Sequence, residues 1–348
     1  MNIKLLSDVC RVPGAPGFEQ PIRAFLQKQL KSLVDEVRTD AMGNLIAIKK
    51  GTKRKKVMVA AHMDEIAFAV THIEEDGYLR FTTLGGFDPK TLTAQRVIIH
   101  GKKDIIGVMG CKPIHIMTPE ERKRVVKTTE YFIDTGLPKK EVEKYIEVGT
   151  PITRERELIE MGNNVNAKSL DNRVSVFIML EALRKLKKKK VSYDIYAVFT
   201  VQEEVGLRGA TAAASGINPD FGINLDVTLA NDMPNIPPHE HCTKLGSGTA
   251  IKVLDGRTIC DYRMVAYMKQ MAKKYKIKSQ LEVLTAGGTD TASIQRDANG
   301  GSIAGGISIP CRYLHQVIEM VNKDDTQGSI DLLVACLTNL DKYDWSFK

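Results

Sequence analysis

Val57-Met58-Val59-Ala60-Ala61 is apolar at every position. Successive strand side chains point to opposite faces of a sheet, so a strand with no polar face must be covered on both sides. That excludes a sheet with one wet face and asks for helices above and below. Residues 193–201 and 221–225 read as further buried strands, and 279–284 and 302–309 as two more. Helical spacing of apolar residues runs over 18–33, 172–190, 258–274 and 324–340. Strands alternating with helices make a layered α/β domain.

Between about Phe68 and Asn164 the rhythm breaks. Short β-rich pieces at 78–83, 96–100 and 105–109 are separated by glycines and charged turns, and polar helical stretches follow at 119–127 and 139–145. The chain has 348 residues, beyond the roughly 250–300 at which single cores stop growing. The economical architecture is an α/β domain formed by 1–67 and 165–348, with a small β domain inserted at 68–164.

The charge sums to +8, which permits nucleic-acid binding. The Lys-rich stretches 49–56 and 185–190 carry no interleaved aromatics, however, and read as a hairpin tip and a helix end. No nucleic-acid partner is expected. No apolar run approaches the ~20 residues of a membrane span, and the opening apolar run breaks at Ser7-Asp8, too early for a secretory core. A cytoplasmic protein is expected. The six cysteines form no CxxC pair and read as reduced, buried thiols.

Open α/β sheets gather ligands at the carboxyl ends of their strands. Here those ends carry His62-Met63-Asp64-Glu65, Gln202-Glu203-Glu204 and Asp226; Asp171 precedes a helix and His315 follows the last strand. Singly, Asp171 is a helix cap and His62 a core histidine. Together they are a mixed imidazole and carboxylate set, which suits Zn²⁺, Co²⁺ or Mn²⁺. Two histidines with three carboxylates exceed one open catalytic zinc and fit two ions sharing a bridging carboxylate. His62 and Asp64 share a side in an extended chain, so Asp64 is placed to hold the other ring nitrogen. Glu203 and Glu204 point apart, which lets one bind metal while its neighbour serves as general base. Gly287, Gly288, Thr289 and Asp290 suit a close backbone approach to a cleft. The Pro-flanked run His239-Glu240-His241-Cys242 reads as a mobile loop near the substrate, and His72, His100 and His115 as structural. No G-x-S-x-G elbow or phosphate loop is present.

The segments AHMDEIAF (61–68), KSLDNR (168–173), VQEEVGLRGA (201–210), NLDVT (224–228), GGTD (287–290) and IPCRYLH (309–315) resemble those of the M42 family of metallo-aminopeptidases. The resemblance includes PGAPGFE (13–19) and runs through nearly the whole chain. It implies a three-layer phosphorylase/hydrolase-like catalytic domain with an inserted PDZ-like or barrel-like β domain used in dimer contacts. It also implies peptide substrates and a homo-oligomer, a tetrahedral dodecamer built from dimers. By the same resemblance His62 and Asp226 hold one divalent ion, Glu204 and His315 a second, and Asp171 bridges them; the ions are Zn or Co. Glu203 then activates the metal-bridging water, Asp64 orients His62, and Gly287, Gly288 and Thr289 line the substrate cleft. Asp171 is followed by Asn172 where the family commonly has a second Asp, and the segment after His315 lacks the usual Ser-Pro.

Two other functions were weighed. A polysaccharide hydrolase of endoglucanase type needs aromatic platforms, against 6% aromatics and a single tryptophan, Trp345. A non-catalytic scaffold leaves the metal set without a purpose.

Overall fold

A computed structural model describes residues 1–347. Its main sheet has eleven strands, centred on Asp194–Thr200, Lys56–His62, Phe221–Leu229 and Ile303–Arg312, which lie side by side and parallel. Leu45–Lys49 continues it antiparallel on one side, and Glu319–Asn322 and Asn164–Ala167 on the other. The apolar strand is covered on both faces, as its composition requires. Val57, Val59 and Ala61 pack into a core shared with helices Ile3–Arg11, Leu170–Leu186, Tyr262–Lys274 and Lys323–Leu337. Met58 and Ala60 face a smaller core with helices Arg208–Ile217 and Thr291–Asp297. Helix, sheet and helix make three layers.

The stretch 49–56 is not a hairpin tip. Leu45–Lys49 and Lys56–His62 flank the same strand, Asp194–Thr200, from opposite sides, so the basic turn crosses over it. The intervening strand, almost wholly buried, takes the protected position that a hairpin would have closed. A second departure concerns Phe221–Leu229, which does not end before Asp226. It pairs with Ile303–Arg312 as far as Leu229 opposite Cys311, which leaves Asp226 inside the strand. The helix expected from 258 begins four residues later, where Asp261 caps Tyr262–Lys274 by accepting from the Arg263 amide.

Six strands, from Ala67–Ile73 to Pro151–Arg154, close a separate barrel. It has its own core of Phe68, Leu79, Val97, Ile99, Ile133 and Ile152. Among the described residues no helix is long and apolar enough to cross a membrane.

Candidate active site

His62 ends the strand Lys56–His62. That strand pairs with Asp194–Thr200 up to His62 opposite Thr200, yet its pairing with Phe221–Leu229 stops at Ala60 opposite Asn224. The two strands part there, and a cleft of about 510 Å³ opens between them, lined by His62, Asp171, Glu203, Glu204, Asp226 and His315. Gly287, Gly288 and Thr289 form its wall, with Lys252, Asp255 and Arg257. The sequence-derived candidates except Asp64 and Asp290 therefore line one cavity; Asp64 lies behind His62, and Asp290 is buried with its carboxylate accepting from the Thr200 hydroxyl.

Asp171 stands between the two imidazoles. Its Oδ1 is 3.1 Å from His62 Nε2 and its Oδ2 is 3.4 Å from His315 Nε2. Its carboxylate does not cap the following helix: among the described residues it takes no hydrogen bond from that helix's amides and faces the two imidazoles instead. His62 Nε2 lies 3.8 Å from Asp226 Oδ1 and 3.9 Å from Glu203 Oε2, and His315 Nε2 is 3.5 Å from Glu204 Oε2. A tetrahedral ion with bonds of about 2.1 Å holds its donors about 3.4 Å apart. The spacing fits such ions, and the buried Glu204 Oε1, which has no hydrogen-bond partner, is a free donor.

Asp64 behaves differently from expectation. Its carboxylate is 3.5 Å from His62 Nδ1, whereas the Asp64 carbonyl lies at 3.2 Å. The carboxylate oxygens accept from the Glu203 and Glu204 amides, both at 3.1 Å. Asp64 anchors the loop that carries the two glutamates as much as it orients the ring. That loop owes its shape to Gln202 and Leu207, both in the left-handed region.

Too many carboxylates share this burial. Burial and the neighbouring Asp171 push Glu204 up to about 8, and the same two causes push Asp226 to about 8. Burial, with Asp226, Asp290 and Glu204 nearby, holds Glu203 well above the usual range. Burial disfavours imidazolium, yet Asp171 and Glu204 overcome it and raise His315 to about 10. His62 is raised in the same way against its burial by Glu203, Asp171 and Asp64. Such a cluster is short of positive charge, which divalent cations would supply.

The family model described as M42 glutamyl aminopeptidase matches residues 43–332. The chain belongs to the M42 peptidase family. It is a peptide-bond hydrolase, with relatives over its full length. The lysyl aminopeptidase of Pyrococcus furiosus is 35% identical over 99% of both chains. The aminopeptidase APDkam598 of Desulfurococcus kamchatkensis is 39% identical, with a TM-score of 0.93 over 97% of this chain and 94% of that one. The TET1 peptidase of Pyrococcus horikoshii, which assembles into a tetrahedron or a large octahedral shell, is 29% identical, with a TM-score of 0.88 over 96% and 98%. A Thermotoga maritima structure described as an endoglucanase is 28% identical, with a TM-score of 0.80 over 96% of each chain.

Sequence reasoning missed three charged groups around this M42 site. Lys252 is buried against Glu282 at 2.7 Å and Asp255 at 3.2 Å beside the cleft. Glu319 lies beneath Asp171, and Arg154, from the barrel, donates to the His315 carbonyl at 3.1 Å. Glu319 follows His315 by four residues, which is a faint signal; Arg154 has none. The loop expected near the substrate does not wall the cleft: His239 and His241 lie outside its lining, and His241 Nε2 bonds to the Ile236 carbonyl.

Proposed function

We propose that this chain is a two-metal aminopeptidase that removes single residues from the free N-termini of peptides. The observation that carries the reading is Asp171, whose two oxygens each face a different imidazole. His62, Asp226 and Asp171 would hold one ion, and Asp171, Glu204 and His315 the other, with Zn²⁺ or Co²⁺ suiting these donors. When bound, two such cations would supply a more acidic water and a polarised scissile carbonyl. Glu203 takes the proton from the attacking water and returns it to the leaving amine as the C–N bond breaks. Asp64 keeps Glu203 and Glu204 at their stations through their amides. Gly287, Gly288 and Thr289 form the wall along which the peptide lies. A free α-amine that binds an ion or a nearby carboxylate of the cleft would confine cleavage to the first bond.

We assign 68–164 as the inserted domain and give its barrel the dimer contact, within a tetrahedral dodecamer like those of related TET peptidases. The six free cysteines suit the reducing cytoplasm. Against a polysaccharide substrate stands the lining of the cleft, which among the described residues contains no aromatic platform.

The test is a panel of aminoacyl-p-nitroanilides, each paired with its N-acetylated form, assayed with Zn²⁺ or Co²⁺ and again after chelation. Metal-dependent cleavage of the free-amine substrates alone is expected, and the panel reads the preferred residue. Cleavage of the blocked forms would remove the amine from recognition. Sugar release from a cellulose-like substrate that survives chelation would favour the polysaccharide reading.

A further inference from the structure

Two buried carboxylates hold the main chain behind the candidate ligands, and only one of them was expected. Asp64 accepts from the Glu203 and Glu204 amides. Glu319 does the equivalent for the other half of the site: its Oε2 accepts from the Asp171 amide at 2.9 Å and its Oε1 from the His315 amide at 3.0 Å. We infer that Glu319 is a positioning residue that sets the spacing of Asp171 and His315, and thereby the affinity of their shared site for its ion. This rests on the two-ion reading.

His315 needs such support. It lies in the connection between Ile303–Arg312 and Glu319–Asn322, its φ is +61°, and its side chain is 39% exposed. A non-glycine residue in the left-handed region holds its place only where its surroundings over-determine it. Here both ends of the residue are tied. Glu319 takes its N–H, and Arg154 of the barrel donates to its C=O.

Glu319 is itself rigidly mounted. It is fully buried and starts the strand Glu319–Asn322, paired opposite Ala167 in the strand that leads to Asp171. One sheet register therefore places its carboxylate under a residue from each side of the site. A buried carboxylate without partners would be costly, and both of these oxygens are satisfied by the amides they fix. A glutamine of the same shape has one oxygen and one amide group, so it can accept from only one of the two N–H groups and sets a donor against the other.

The experiment measures Zn²⁺ content and affinity of the full-length protein by equilibrium dialysis, alongside kcat and KM. The wild type is expected to bind two ions. Glu319→Gln is expected to keep one tightly and lose about 10–100-fold in affinity for the other, with kcat reduced and KM held. Glu319→Asp, which keeps two acceptor oxygens, is expected to recover part of that loss; a merely structural role would lower melting temperature without this selective loss. A wild type that binds fewer than two ions would sink the two-ion reading. A wild type with two ions and a Glu319→Gln protein that binds both with undiminished affinity would overturn this inference alone. Should Glu319→Gln fail to fold, Glu319→Asp decides: its carboxylate is one methylene short of the two amides, so weakened binding of that ion supports the inference, and two ions bound with undiminished affinity overturn it.

Discussion

At the scale of the residue, the cleft sets each side chain's protons. Glu203 is the group placed to accept and return one, and its amide variant keeps the shape without the basicity. Glu203→Gln is expected to retain both ions and the fold while kcat falls about 10²–10⁴-fold, read from p-nitroanilide turnover beside metal content. Asp171→Ala, which removes the oxygens facing both imidazoles, is expected to lose metal as well. A Glu203→Gln enzyme of wild-type turnover would place the base elsewhere. The proton balance also has a direction. Glu204 and Asp226 titrate at about 8, and His315 at about 10, when only protons offset the buried charge. Each must lose its proton to take an ion, so lowering the pH returns protons and expels metal. Affinity is expected to rise with pH through about 8, where Glu204 and Asp226 give up their protons, and on to about 10, where His315 does, with protons released on binding. Calorimetry in two buffers of different ionisation enthalpy measures that release, and a pH-independent affinity with none would contradict it.

At the scale of the element, the loop bearing Glu203 and Glu204 depends on how the helix Arg208–Ile217 docks under it. Gly209 is the contact. A Cβ there would lie 2.4 Å from both Asn44 Oδ1 and the Val201 carbonyl oxygen. Asn44 is fully buried and ties the same place together, donating to the Gly209 carbonyl at 2.9 Å and accepting from the Val201 amide at 3.0 Å. There is no flexible side-chain end to move aside. Gly209→Ala is expected to destabilise the chain by about 1–3 kcal/mol, the ordinary cost of overpacking. It should also displace the loop enough to lower kcat. Denaturant unfolding and turnover together check this, and an unperturbed variant would mean that the loop is set from elsewhere.

At the scale of the molecule, the barrel presents a face that burial inside the chain does not explain. Ile106 and Val108 alternate with buried residues along Asp104–Gly110 and are 61% and 51% exposed. Hydrophobic side chains on the outward face of a strand suit a partner surface. In the proposed assembly they belong to a contact between copies. Light scattering is expected to give the mass of twelve 38.6-kDa chains for the wild type and a smaller particle for the double variant Ile106→Asp, Val108→Asp. A double variant that still forms the dodecamer would remove this face from the interface.

Some of this protein is written locally. Val57–Ala61 has no polar side, which alone demands a sheet covered by helices on both faces, and the strand delivers His62 at its carboxyl end. The pairs His62–Asp64 and Glu203–Glu204, each close in the chain, could be read for the same reason, since extended-chain periodicity relates near neighbours. Other features arise only when distant segments meet. Asp194–Thr200 lies between two strands joined by a short basic turn, and so makes a crossover where a hairpin was expected. Asp226 sits within its strand because Ile303–Arg312 continues the pairing past it. The grip of Glu319 on two amides, and that of Arg154 on the His315 carbonyl, use main-chain groups that every residue possesses. Local composition and spacing are enough for the layered class and for the kinds of candidate ligand. Tertiary structure decided strand order and how the ligands are held, because register and main-chain hydrogen bonds across long separations leave no spacing pattern in the chain.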